Sequence, residues 1–113
     1  MELKKPYEDL LNYLQDYSDD GLPEIAVYTN LPDVVIERLK HLNNSFCDGR
    51  VDLNEFDKGN SRNDWISYIN AYTGRAAEKV FRNEREDQKF KDNMVKAAAL
   101  CLAALDAHEQ GYC

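Results

Sequence analysis

The chain has 113 residues, of which 43 % are hydrophobic, 11 % aromatic and 31 % charged, and its formal net charge is −7. That length suits one compact domain, the mixed charges and aromatics exclude a disordered chain, and no apolar run reaches the ~18 residues of a membrane span. The acidity is one-sided, with 13 acidic and 6 basic residues in 1–60 against 8 of each in 61–113, so direct DNA or RNA binding is not expected and a basic protein surface would be attracted.

The first segment, "KKPYEDLLNYLQDYSDDG", reads as a helix. Pro6 suits a first-turn position, where its missing N–H costs nothing. Tyr7, Leu10, Leu11, Leu14 and Tyr17 share one face, and Gly21 followed by Pro23 stops the helix. The run "PEIAVYT" has no partner strand and reads as an extended connector. A second helix starts near "TNLPDVV": Thr29 or Asn30 caps it, Pro32 enters its first turn and Asp33 complements its dipole. Its apolar face is Leu31, Val35, Leu39, Leu42 and Phe46.

Residues 44–56, "NSFCDGRVDLNEF", have the outline of a calcium loop, with ligand positions at Asn44, Phe46, Asp48, the Arg50 carbonyl, Asp52 and Glu55. Phe46 cannot coordinate a hard cation, only three carboxylates remain, and Gly59-Asn60 break the following helix after about one turn. The reading is therefore a turn at Asp48-Gly49 followed by a short helical turn, with no metal.

The third helix begins at "SRNDWISYI", where Ser61 and Asp64 have capping-box spacing. Trp65, Ile69, Tyr72, Ala76 and Val80 form its stripe, and Gly74 suggests a close approach of two backbones. The last helix is "QKFKDNMVKAAALCLAALDAHEQG". Phe90, Met94, Ala98, Cys101 and Leu105 are expected to line its buried face, with Val95 and Leu102 beside it, and Gly111 closes it. The expectation is an all-α chain: a single domain over 1–113, a small bundle of about four helices with the longest at the C-terminus. Its acidic half, 1–60, holds two helices and a polar loop, and 61–113 is a helical hairpin.

Cys47, Cys101 and Cys113 form no CxxC pair and read as free thiols, Cys101 as a small buried hydrophobe. The N-terminal "MELKKPYEDLL" lacks the apolar core of a signal peptide, so the cytoplasm is the expected compartment. His41 and His108 have no Cys or His at metal spacing. There is no GxxxxGKS, no GxGxxG and no nucleophile elbow. Arg75, Lys79 and Arg82 stand at i, i+4 and i+7, one basic stripe of the kind that takes phosphate, and Arg85, Lys89 and Lys96 extend it. Glu78, Glu84 and Glu86 are interspersed as on a solvated face.

Within residues 61–110, "DWISYINAYTGRAAEKVF" followed by "FKDNMVKAAALCLAALDAHE" resembles the second half of the MazG-like all-α NTP pyrophosphatases, particularly the small members encoded by bacteriophages. The likeness lies in a Trp-led helix with a Gly-x-x-Ala step and a following Ala-rich helix. Family members bind Mg²⁺ through EExxE and ExxD motifs and cleave NTPs to NMP and pyrophosphate. Here the corresponding positions hold Ala71, Tyr72 and Arg75, then Asn93 and Lys96. A literal ExxD at Glu84 and Asp87 has no EExxE partner. Mg²⁺ bound to a nucleotide needs well-placed carboxylates, and Arg75 and Lys96 repel it. The resemblance thus implies the fold and a dimer or tetramer, and argues against the family's catalysis.

Three functions compete. The first is a non-catalytic, MazG-like protein, phage-encoded and in the host cytoplasm, that binds a nucleotide or other phosphorylated small ligand through Arg75, Lys79, Arg82 and Lys96 without cofactor or metal. The second is an acidic interaction module that occupies a basic surface of a host or defence protein. The third is an active Mg²⁺-dependent pyrophosphohydrolase with Glu78, Glu84, Asp87 and Asp92 as ligands. The surplus apolar surface of the last two helices predicts a homodimer, which light scattering would report as about twice the 13.1 kDa chain mass.

Overall fold

A computed structural model describes residues 3–19, 26–42, 55–81 and 87–113, and of these the side chains of 3–15, 30–42, 57–77 and 88–113. Every regular element among the described residues is helical. In chain order they are α1 (Lys4–Asp19), α2 (Ala26–Leu42), α3 (Glu55–Gly59), α4 (Arg62–Phe81) and α5 (Asp87–Glu109). The protein is all-α, and its longest helix, 23 residues, is the last. The chain falls into two compact units, Met1–Glu55 and Phe56–Cys113. The turn expected at Asp48-Gly49 and the rest of the loop up to Asn54 lie outside the described residues, and α3 is the short helical turn expected after it.

In the first unit α1 and α2 pack together. Leu14, Val35 and Leu39 form the buried centre, with Tyr7, Leu11 and Leu31 packed on it. These are the apolar positions that the spacing of three and four selects. Leu10 belongs to the same expected face of α1 but is exposed, while Leu42 of α2 is buried. The Lys5–Asp9 pair, 3.4 Å apart on the exposed side of α1, contributes little in water.

The start of α2 differs from expectation. The helix already runs from Ala26, so residues 26–29 are helical rather than an extended connector, and Asn30 and Pro32 lie inside it. Neither Thr29 nor Asn30 is therefore its cap, and Asp33 is beyond its first turn. A proline in a helix forfeits one bond, to the carbonyl four residues before. Pro32 is the seventh residue of α2, so the bond it forfeits is the one to the Tyr28 carbonyl, within the first two turns of the helix.

His41, in the last turn of α2, is held below its ordinary value of 6.5, first by burial and then by the Arg38 cation; Glu37 opposes both. The folded form therefore disfavours protonated His41. The associated stability is complete above about pH 6.5 and is lost as pH falls from there through the lowered folded value. Urea midpoints between about pH 7.5 and 5.5 should fall for the native chain, and His41→Gln should remove that part of the slope; an identical slope in the variant would show that His41 is not its source.

In the second unit α4 and α5 pack as an antiparallel hairpin: residues early in α4 meet residues late in α5, and Tyr72 meets Lys96. The capping box forms as expected. Asp64 N–H donates to Ser61 Oγ at 3.1 Å and Ser61 N–H to Asp64 Oδ2 at 2.8 Å. At the other end of the hairpin's chain, Gly111 has φ of 84°, Gly111 N–H reaches the His108 carbonyl at 3.0 Å and Tyr112 N–H the Ala107 carbonyl at 2.9 Å. That bond pair is a Schellman closure, and it needs the left-handed residue that glycine supplies. Lys58 of α3 lies 5.6 Å from the Tyr112 ring centroid.

Two expectations about this hairpin are corrected. Gly74 is exposed, and a Cβ built on it meets nothing within 4 Å, so it marks no close approach among the described residues. Gly74→Ala should therefore gain helix propensity without a clash, about 1 kcal/mol, read as a thermal midpoint a few degrees higher; a fall would mean the site is occupied. The buried positions of α5 are Ala97, Ala99, Ala103 and Ala107, while Phe90, Cys101 and Leu105 are exposed. Cys101 is thus a surface thiol rather than a core residue. Alanines let two helices approach closely, and Phe90, Cys101 and Leu105 are turned to the opposite side.

Candidate functional site

The second unit carries the chain's most distinctive side-chain arrangement, built on three residues from two helices. Tyr72 and Arg75 are three apart on α4 and so lie on adjacent turns of one side. The Arg75 guanidinium carbon stands 4.9 Å from the Tyr72 ring centroid. From α5, the Lys96 ammonium stands 5.8 Å from the same centroid. Both distances are within cation–π reach. Both cations are exposed, and neither forms an ion pair with a described residue. Two positive charges are thereby gathered on one half-buried ring.

Of the four residues expected to bind phosphate, Arg75 and Lys96 come together here. Lys79 is in α4, but its side chain lies outside the described residues, as does the whole of Arg82. Tyr72 was legible only as a stripe residue of α4; nothing in the spacing says that it collects cations from two helices. No described group of three or more His, Cys, Asp or Glu side chains is placed to hold a metal. Glu84 and the side chains of Glu78 and Asp87 lie outside the described residues. Asp92 accepts a hydrogen bond from Gln88 Nε2 at 2.8 Å on the exposed side of α5.

No family model matches the chain, and neither a curated protein nor a solved structure matches it.

A second feature lies at the other end of the same hairpin. Arg62, Trp65, Ile66 and Ile69 of α4 face Ala104, Leu105 and His108 of α5, together with Cys113, across a groove of about 300 Å³. Trp65 is 3 % exposed, and its indole N–H has no hydrogen-bond partner among the described residues. Tyr68 meets the Trp65 ring edge-on at 6.4 Å between centroids. His108 turns its Nδ1 to the Cys113 backbone oxygen at 2.8 Å, so Nδ1 carries the hydrogen in that bond. Sequence spacing placed Trp65 and Ile69 on the core stripe and left His108 without a role. Leu105, which lines the groove, is exposed rather than buried with the alanines of α5, which the spacing did not anticipate.

Proposed function

We propose that the protein is a non-catalytic binder of a small phosphorylated ligand, with Arg75 and Lys96 as the anion-holding groups and Tyr72 as the platform between them. The observation that supports this reading is the convergence of two exposed cations, without an ion pair among the described residues, from different helices on one tyrosine ring. An exposed cation–π contact is worth only about 0.5–1 kcal/mol. Two like charges brought to one ring repel, and a multiply charged anion between them reverses the sign of that interaction. Arginine also supplies a planar fork that fits phosphate oxygens, and lysine a mobile point charge.

Thermal melts with inorganic pyrophosphate and a panel of nucleoside mono-, di- and triphosphates test this. Binding at a hundred times Kd stabilises by about 2.7 kcal/mol, a shift of many degrees for a unit this small. The double variant R75A/K96A should lose the shift while keeping its own ligand-free midpoint, because both side chains are exposed. No shift with any member of the panel, or an equal shift in the double variant, overturns the reading. Release of pyrophosphate from an NTP in the presence of Mg²⁺ or Mn²⁺ would overturn its non-catalytic part.

A further inference from the structure

The groove between the start of α4 and the end of α5 combines three things that a helix seam does not need. Its walls are apolar, from Ile66, Ile69 and Leu105, and two of these are among the exposed large hydrophobic side chains of the chain. Its wall also contains the Trp65 indole, more than nine-tenths buried, whose N–H has no acceptor among the described residues. Arg62 is a lining residue of the same groove and forms no ion pair with a described residue. The volume, about 300 Å³, stands at the lower end of the range for small-molecule sites, which are typically apolar with a few placed polar groups.

We propose that this groove binds a small amphipathic carboxylic acid, an alkyl or aryl body lying on Ile66, Ile69 and Leu105 and its carboxylate on Arg62. The charge requirement comes from the arginine, whose fork matches a carboxylate; the length limit comes from the groove volume. A neutral apolar molecule leaves Arg62 unused, and a cationic one is repelled by it. The site is separate from the Tyr72 cluster and does not depend on phosphate binding there.

Trp65 is the single tryptophan of the chain, so its emission reports the groove directly. Octanoate is the probe, with octan-1-ol and octylammonium as neutral and cationic controls of equal chain length. Octanoate should change Trp65 emission saturably, octylammonium should not, and octanol should bind about tenfold more weakly, the loss of one charge-assisted contact. Arg62→Ala should weaken octanoate by about the same factor. Leu105→Glu should abolish the response with an unchanged melting curve, because Leu105 is exposed and the new charge opposes the ligand. R75A/K96A should bind octanoate like the native chain. Absence of a saturable octanoate response, an equal response to octylammonium, or an unweakened Arg62→Ala each overturns the proposal. So does a light-scattering mass of two chains together with an octanoate-insensitive Trp65, since the occupant is then a second copy.

Discussion

Ala103→Glu is expected to unfold the α4–α5 hairpin, whereas Leu105→Glu, two residues further along the same helix, is expected to leave it folded. Ala103 is 2 % exposed and Leu105 is 59 % exposed. Together with Ala99 and Ala107, Ala103 forms a row at spacings of four on the buried side of α5. A glutamate there adds a methylene and a carboxylate to a tightly packed position. Overpacking alone costs about 1–3 kcal/mol, and a buried charge without a partner costs about 3–5 kcal/mol. Small domains have only about 5–15 kcal/mol in total, so the combined change takes most or all of it. At Leu105 the same side chain enters water. Circular dichroism melts would check the pair: loss of cooperative melting for Ala103→Glu with a near-native curve for Leu105→Glu is the expected result. The reverse order would restore Phe90, Met94, Ala98, Cys101 and Leu105 as the buried face of α5.

That comparison also shows why part of the structure is readable from the sequence and part is not. On α1 and α2 charged residues are interspersed among the apolar ones, so Tyr7, Leu11, Leu14, Leu31, Val35 and Leu39 mark the packed side, although Leu10 of the same expected face is exposed. The Ser61–Asp64 box and the Gly111 closure are equally legible, because each is a local bond pattern that requires its residue type. On α5 the rule of spacing has no contrast to work on. Alanines at 97, 98, 99, 103, 104 and 107 spread apolar surface around the helix, and the larger Phe90, Cys101 and Leu105 draw the eye to one side. The buried row, 99, 103 and 107, is about half a turn away from them at 3.6 residues per turn. Volume decides the outcome here rather than hydrophobicity. The Tyr72 cluster was half-legible for a related reason. Arg75 and Lys96 were singled out by charge, but what brings them together is the antiparallel pairing of α4 and α5, which no spacing within one helix encodes.

The other large effect is expected at Arg38 of α2. Its side chain is 0 % exposed, beside Val35 and Leu39 in the α1–α2 core, and its guanidinium carbon stands 5.7 Å from the Tyr7 ring centroid. Arg38 thus joins the end of α2 to the start of α1. Arg38→Ala removes a long stem from a closed position, which leaves a cavity, and removes a desolvated cation–π contact worth about 2 kcal/mol. The expected loss is about 3–5 kcal/mol, read as a large drop in the urea midpoint. Arg38→Met separates volume from charge. It keeps most of the stem and relieves the desolvation of a buried cation, so its midpoint should fall much less. The methionine variant carries a second readout. The Arg38 charge helps to hold His41 low, so removing it should move the His41 titration, followed by NMR, upward toward 6.5 in a chain that is still folded. The acid-side loss of stability set by His41 should narrow in step, because the gap between folded and unfolded values narrows. A native-like midpoint for Arg38→Ala would place the guanidinium in solvent rather than in the core. A His41 titration unmoved in Arg38→Met would separate the two residues electrostatically and leave burial as the sole cause of the low value.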